Sequence, residues 1–148
     1  MLLHTTHLGD IEYSDSDVIH FPVGIPGFDD QDAYIIVPSG DIEFPFSTLQ
    51  SVKNTELAFI VTDPFLFVDN YDFDLDDADA LLLNINSDND LENVIALTIV
   101  TIPENVEDTT INIMAPIIIN NDKKLAKQVL LTEYDDVKYT IFRKTSEE

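Results

Sequence analysis

The fold is decided in the stretch Val18-Ile19-His20-Phe21-Pro22-Val23-Gly24-Ile25-Pro26-Gly27-Phe28, which holds two of the chain's four glycines and two of its seven prolines. Pro22 and Pro26 fix the backbone φ near about −65° and remove two amide donors. Gly24 and Gly27 are able to take positive φ values, which other residues rarely adopt. The stretch therefore predicts a rigid, sharply turned corner.

Two apolar residues inside this corner indicate how it is held in place. A solvated loop has little use for Ile25 and Phe28, so we expect both side chains to anchor the corner to a hydrophobic core. A purely structural corner is the simpler interpretation. A docking surface for a partner is the alternative that the sequence leaves open.

The corner also resembles a known motif, the Phe-Pro-x-Gly-Ile-Pro-Gly-Phe signature of the flagellar assembly factor family FliW. The matching positions are Phe21, Pro22, Gly24, Ile25, Pro26, Gly27 and Phe28. Further blocks within residues 9–131 resemble the family in the same order: Gly9-Asp10-Ile11-Glu12, residues 57–65, residues 99–104 with 115–120, and Lys127-Gln128-Val129. The chain departs from the family at Ser47 and Thr48, where many members carry aromatic residues.

Length and composition favour one domain. The 148 residues are enough to bury a sizeable core, and the chain has no cysteine, which fits a reducing compartment. The N-terminus lacks an export signal, and no apolar run approaches the roughly 18 residues of a membrane span. We expect a single β domain over residues 1–142, a short C-terminal tail over residues 143–148, a cytoplasmic location and no membrane contact.

Charge is the strongest compositional signal. The chain has 29 acidic and 7 basic residues, a net charge of −22, and Lys53 is the only cation before residue 123. Such a surface repels phosphate backbones, so we expect no direct nucleic-acid binding. It attracts basic proteins, although an acidic surface adapted to a saline habitat is an equal alternative.

Most of the chain has strand-like patterns. We expect short strands over residues 3–8 and 11–13 with a turn at Gly9-Asp10, and further strands over residues 34–37, 57–62, 94–102, 110–120, 127–131 and 137–142. The run over residues 94–102 predicts a central strand, and that over 57–62 a strand covered on both faces. Resemblance to FliW implies a mostly β, small antiparallel β-barrel-like single domain.

The aspartate-rich segment from Asp69 to Asp79 predicts one short helix at about residues 75–84. Asp74 is the expected N-cap, and Leu75, Ala78 and Leu82 are spaced for one buried face. A calcium-binding loop is excluded because Asp77 stands where the loop needs glycine and Leu83 where it needs glutamate.

No catalytic or metal-binding pattern is present. The sequence contains no nucleophile motif, phosphate-binding loop or dinucleotide fingerprint, so we expect no enzyme activity and no cofactor. His4, His7 and His20 are the only histidines, too few and too dispersed for a zinc site.

We expect partners to dock at two segments that follow strongly apolar strands, Asp63-Pro64-Phe65 and Ile102-Pro103-Glu104-Asn105-Val106. Each presents an apolar residue beside a carboxylate on a loop stiffened by proline. Ordinary strand exits are an equally simple interpretation. A further candidate docking surface consists of four aromatic residues, Phe65, Phe67, Tyr71 and Phe73. The simpler interpretation is that these side chains face the core.

Resemblance to FliW implies a function that composition alone does not. It implies a protein that binds cytoplasmic flagellin and, when free of flagellin, antagonises the translational regulator CsrA. The alternative is an acidic β-rich binding module for another basic protein partner. In either case we expect a monomer when no partner is bound.

Overall fold

A computed structural model describes residues 1–28, 30–38, 46–68, 71–132, 134 and 138–141. Within them the chain forms eleven strands and one α-helix, α1 (Asp77–Leu82). The strands are β1 (Leu2–Thr5), β2 (Gly9–Glu12), β3 (Ile19–His20), β4 (Ala33–Pro38), β5 (Phe46–Ser51), β6 (Ala58–Thr62), β7 (Val94–Thr101), β8 (Thr110–Ile111), β9 (Ile117–Asn120), β10 (Leu125–Gln128) and β11 (Tyr139–Thr140). The prediction of a mostly β fold with one short helix is confirmed.

Seven of these strands form a ring in the order β7, β6, β5, β4, β3, β10, β9, which returns to β7. All neighbours are antiparallel except β3 and β10, which run parallel. An odd number of strands cannot alternate in direction around a complete ring, so one parallel pair is unavoidable. That pair joins only Leu125 and His20, so the barrel is partly closed, and its strands are antiparallel as predicted except at this seam.

The remaining strands extend or flank the ring. β8 and β11 continue the sheet beyond β7, while β1 and β2 form a separate hairpin. The prediction of a turn at Gly9-Asp10 is wrong, because both residues belong to β2, where Gly9 pairs with Thr5 and Asp10 with His4. The turn lies before them, at residues 6–8. Gly9 starts β2 with φ +73°, a value that glycine alone adopts without strain.

Two hydrophobic cores lie on opposite faces of β7 and β9. Strand side chains alternate between faces, so Ile117 and Ile119 point into the barrel while Ile118 points outward. The inner core also contains Phe21, Ile25, Tyr34, Leu49 and Val61. The outer core contains Val68, Tyr71, Leu83, Val100 and Ile111. β7 is therefore the central strand that its β-branched run predicts.

The corner after β3 has the predicted backbone. Gly24 and Gly27 have φ of +69° and +90°, and the turns are closed by amide hydrogen bonds from Gly24 to the Phe21 carbonyl (2.9 Å) and from Phe28 to the Ile25 carbonyl (2.7 Å). Ile25 is buried as predicted. Phe28 is 38% exposed and packs edge-on against Phe59 at 5.4 Å, so it anchors the corner only with one side of its ring.

The helix is shorter than predicted and has a different cap. Asp76, not Asp74, is the N-cap, and its carboxylate accepts a hydrogen bond from the Asp79 amide at 2.8 Å. The helix ends at Leu82, and Asn84 follows with φ +57°. The predicted apolar face is wrong at Ala78, which is exposed, while Leu83 and Asp79 are buried.

Three strand predictions also need correction, and the first is the run over residues 110–120, which forms two separate strands, β8 and β9. Ile60 in β6 is partly exposed, so that strand is not covered on both faces. β10 begins at Leu125 and ends at Gln128, whereas the predicted strand covered residues 127–131. The predicted edge strand over residues 137–142 is present as β11, and residues 137 and 142 lie outside the described residues.

Candidate docking surfaces

The first predicted docking segment, residues 63–65, turns out of β6 into a short 3-10 helix, Pro64–Leu66. The Asp63 carboxylate caps this helix by accepting a hydrogen bond from the Phe65 amide at 2.8 Å. Pro64 is buried, whereas Phe65 is 55% exposed and Leu66 59% exposed. The cap and the buried proline therefore hold two apolar side chains toward solvent.

Phe65 borders an apolar groove of about 390 Å³, called here the Phe65 groove. Its lining residues are Phe65, Phe73, Asp74, Leu75, Ala80, Ile85, Leu91, Val94 and Ala96. Only Asp74 among them is charged. Leu91 is 52% exposed within another 3-10 helix, Asp88–Asn93, so the groove has exposed apolar side chains on two different elements.

Tyr71 packs against two of the groove's aromatic residues without lining the groove itself. Its ring lies 5.7 Å from Phe65 and 5.5 Å from Phe73, and its hydroxyl donates a hydrogen bond to the Ile113 carbonyl at 2.6 Å. The predicted aromatic surface is therefore divided: Tyr71 belongs to the core, and Phe65 is exposed. Phe67 and Phe73 are half-buried, and all four residues lie outside the strands.

The second predicted docking segment, residues 102–106, follows β7 and is exposed throughout. Its two apolar members, Ile102 and Val106, are about as exposed as each other. The Asn105 side chain accepts a hydrogen bond from the Glu107 amide at 3.3 Å, and the buried Thr109 donates its hydroxyl to the Val106 carbonyl at 2.6 Å. These bonds hold the loop in a defined turn.

The two predicted segments do not form one site. Thr62, the last residue of β6, pairs with Thr98, which lies about 10 Å along β7 from Thr101. Because the strands are antiparallel, the chain leaves them at opposite ends of the pair. The structure brings Phe65 together with Phe73 and Leu91, and leaves residues 102–106 as a separate surface.

Sequence reasoning missed Leu91 and a charge pair beneath α1. Leu91 sits in an acidic, polar loop where nothing marks it as part of an apolar groove. The buried Asp79 pairs with the Lys127 ammonium on β10, which ties α1 to the barrel. In the sequence, Asp79 is one more carboxylate of the acidic segment. The family-like Lys127 was the only available signal for this contact.

Asp32 and Tyr34, which follow the corner, have shifted pKa values. The Lys53 ammonium, 2.5 Å from Asp32, donates a hydrogen bond that lowers the pKa of the Asp32 carboxyl. Burial raises the pKa of Tyr34 to about 12, and the nearby carboxylates of Asp30 and Asp32 add to the effect.

The described residues contain no cluster of three or more His, Cys, Asp or Glu side chains arranged to hold a metal ion. Nor does any helix in the described ranges have the length and apolar content to cross a membrane. These features define a small, partly closed β-barrel with exposed apolar side chains in an acidic surface.

Comparison with known proteins identifies the family. The FliW protein family matches residues 2–142. A flagellar assembly factor FliW of Alkaliphilus metalliredigens is 44% identical over 131 residues, which cover 88% of this chain and 79% of that protein. The flagellar assembly factor FliW of Bacillus subtilis is 43% identical over 131 residues, which cover 88% of this chain and 89% of the relative.

A crystal structure of the flagellar assembly factor FliW superposes with a TM-score of 0.87 at 35% identity, covering 98% of this chain and 99% of the other. The chain therefore belongs to the FliW family.

Proposed function

We propose that this protein is a non-enzymatic flagellar assembly factor that binds cytoplasmic flagellin and, when free, antagonises a CsrA-type regulator of translation. Such a protein couples the level of flagellin to its synthesis. The observation that carries the proposal is the match to FliW proteins along nearly the whole chain, with the corner motif included.

The surface supports a role in binding proteins. Phe65, Leu66, Leu91, Ile102 and Val106 are exposed apolar side chains on turns that capping hydrogen bonds hold in place. An apolar centre with a charged rim is typical of transient protein interfaces. The net charge of −22 favours partners with basic surfaces and disfavours contact with RNA.

The test is titration of the purified protein against flagellin and, separately, against CsrA with and without its target RNA. We expect binding to both proteins, no binding to RNA alone at moderate salt, and weaker RNA binding by CsrA. If neither protein binds and another basic protein co-purifies from cell extract, the alternative of a binding module for a different partner is correct.

Two variants test the 102–106 segment as a docking surface. Glu104→Lys should mainly slow association and flatten its salt dependence, because it removes attraction to a basic rim. Val106→Asp should mainly speed dissociation, because it places a charge in an apolar contact. Association and dissociation rates for each partner are the measurement.

Glu12→Lys and Val23→Asp are the matched controls, since both change exposed residues elsewhere on the surface. They should bind like the parent. If Glu104→Lys and Val106→Asp fold and also bind both partners like the parent, the docking surface lies elsewhere. Reduced binding by Val23→Asp alone would instead favour the corner as the docking surface.

A further inference from the structure

Another cavity, of about 370 Å³, is called here the β4 cavity because residues 35–38 of β4 line it. Ile11 and Glu12 of β2 and Lys124, just before β10, line it as well. None of these residues lines the Phe65 groove or belongs to the 102–106 segment, so the β4 cavity is separate from both.

β4 has a free backbone edge at this cavity. The Val52 amide donates a hydrogen bond to the Ala33 carbonyl at 3.0 Å, so Ala33 bonds toward β5. Hydrogen-bonded and non-hydrogen-bonded pairs alternate along an antiparallel ladder, so Tyr34 and Ile36 direct their amide and carbonyl groups to the other side, toward β3. β3 pairs with Tyr34 through Ile19, and its register extends no further along β4.

The edge is free because the chain before β3 leaves the sheet. Asp17 would lie opposite Ile36 if β3 were longer, but it belongs to the 3-10 helix Asp15–Asp17. Asp17, Ile19 and Ile36 all line the β4 cavity, and no strand of the described chain pairs with Ile36 on this side. A sheet edge of this kind is able to take up one more strand.

β2 brings a further free edge to the same cavity. The Met1 ammonium and carbonyl both bond to Tyr13, so Glu12, one residue earlier, directs its backbone groups away from β1. In the described ranges β2 pairs only with β1. Two strands that line the β4 cavity therefore have backbone groups that their own ladders do not use.

The charges at the cavity leave one carboxylate without a counterion. The Lys124 ammonium donates a hydrogen bond to the Asn121 side chain at 2.9 Å, and the Asp17 carboxylate accepts one from the Ser14 amide at 2.9 Å. Lys124 and Asp17 carry opposite charges that balance, whereas Glu12 has no ion pair among the described residues. The cavity therefore favours a segment that carries a positive charge.

We propose that the β4 cavity binds an extended segment of a partner protein, which adds as a strand beside Ile36 and places a lysine or arginine against Glu12. In this mode of recognition main-chain hydrogen bonds provide affinity and alternate side chains provide specificity. The cavity volume of about 370 Å³ is in the range of sites that bury small ligands. This binding function is additional to the proposed function and does not depend on it.

The probe is the end-blocked hexapeptide Lys-Val-Lys-Val-Lys-Val, in which the valines share one face of a strand and the lysines the other. We expect it to bind the full-length protein and to slow deuterium exchange of the Ile36 amide. The same peptide with glutamate in place of lysine should not bind, because it meets a like charge.

Two further peptides test whether the backbone is recognised. One has N-methyl groups on all its lysines and the other on all its valines. A strand directs the amides of alternate residues toward each neighbour, so at least one of the two methylated forms should lose binding. Both forms keep the charge of the parent peptide, so general attraction to an acidic surface would leave their binding unchanged.

Variants of the protein test the two contacts. Ile36→Pro removes the amide that faces the cavity and should weaken binding of the lysine peptide about tenfold. Leu2→Pro is its control, because the Leu2 amide also faces away from its own ladder, on β1. Glu12→Gln should weaken binding up to about fivefold, whereas Glu56→Gln, which changes an exposed carboxylate outside the cavity, should bind like the parent.

Binding of the lysine peptide with protection of the Ile36 amide, lost in Ile36→Pro and kept in the controls, supports the proposal. Absence of binding at millimolar peptide would overturn it, as would equal binding of the glutamate peptide or unchanged exchange at Ile36. Protection of Ile36 that rises with protein concentration alone would assign the edge to a second copy and also overturn it. If Ile36→Pro does not fold, the methylated peptides decide: parental binding by both would show that the backbone edge is not used.

Discussion

Gly27 at the tip of the corner has a φ of +90°, and among the described residues, its two chain neighbours aside, no atom lies within 4 Å of the position that a Cβ would occupy. A side chain there meets strain in the backbone but no steric clash. We therefore expect Gly27→Val to lower the free energy of unfolding by about 1 to 3 kcal/mol without changing the affinity for the two proposed partners, flagellin and CsrA. Urea denaturation and partner titration measure the two effects.

Gly9→Val is the matched control, because Gly9 also has positive φ and open space around it but lies in the hairpin of β1 and β2. Both variants should lose stability by similar amounts. An unchanged melting temperature of Gly27→Val combined with lost partner binding would show that the corner is a docking surface and not a structural one.

Tyr34 is fully buried in the inner core, and its hydroxyl has no hydrogen-bond partner among the described residues. Burying an unpaired hydroxyl costs free energy, so Tyr34→Phe should raise the free energy of unfolding by about 1 kcal/mol. Tyr13→Phe is the control, because Tyr13 is only half-buried. Denaturant titration at neutral pH measures both changes.

The raised pKa of Tyr34 makes this effect depend on pH. Burial raises the pKa from about 10 to about 12, so between these values the unfolded state has lost a proton that the folded state keeps. The unfolded state binds fewer protons there, and stability falls as the pH rises. Tyr34→Phe should lose less stability than the parent over this range. Parallel curves for the two proteins would contradict the raised pKa.

At the scale of elements, Asp76 determines where α1 begins. Its carboxylate accepts a hydrogen bond from the Asp79 amide, so Asp76→Ala should cost about 1 kcal/mol of stability. Asp74, the cap that the sequence predicts, lies outside the helix, and Asp74→Ala should leave stability unchanged. Midpoints of urea denaturation measure both.

Asp77→Ala controls for charge, because Asp77 lies in the first helical turn without serving as the cap. It should cost only a few tenths of a kcal/mol through loss of its interaction with the helix dipole. A larger loss for Asp74→Ala than for Asp76→Ala would move the start of the helix back to the predicted position.

Elements with local signals could be predicted from the sequence. The φ values of Gly24 and Gly27 follow from residue type, and β7 follows from a long β-branched run. The helix cap could not be predicted with the same accuracy. Asp74 and Asp76 are chemically identical and two residues apart, so the direction in which the chain enters the helix selects between them.

The Phe65 groove is a property of the folded molecule. Phe65, Phe73 and Leu91 are separated in sequence, and folding brings them to the lining of one groove, where the rings of Phe65 and Phe73 both contact Tyr71. Phe65 could be proposed as a docking residue because it follows a proline after an apolar strand. The role of Leu91 and the ion pair between Asp79 and Lys127 could not be predicted from the sequence, since each depends on contacts between distant parts of the chain.

The single parallel pair between β3 and β10 has a kinetic consequence. His20 and Leu125 are more than a hundred residues apart, whereas β4, β5 and β6 are joined by short connections. Closing a long loop costs more entropy before any contact compensates it, so we expect this seam to form last during folding.

The same seam should open first in the native protein. The amide of His20, which donates to the Lys124 carbonyl at 2.8 Å, should exchange with deuterium faster than the amides between β4 and β5. Equal protection at the two places would show that the ring unfolds only as a whole. Faster exchange at His20 would mean that β3 and β10 separate while the other strands stay paired. The inner core would then become transiently accessible to solvent without global unfolding.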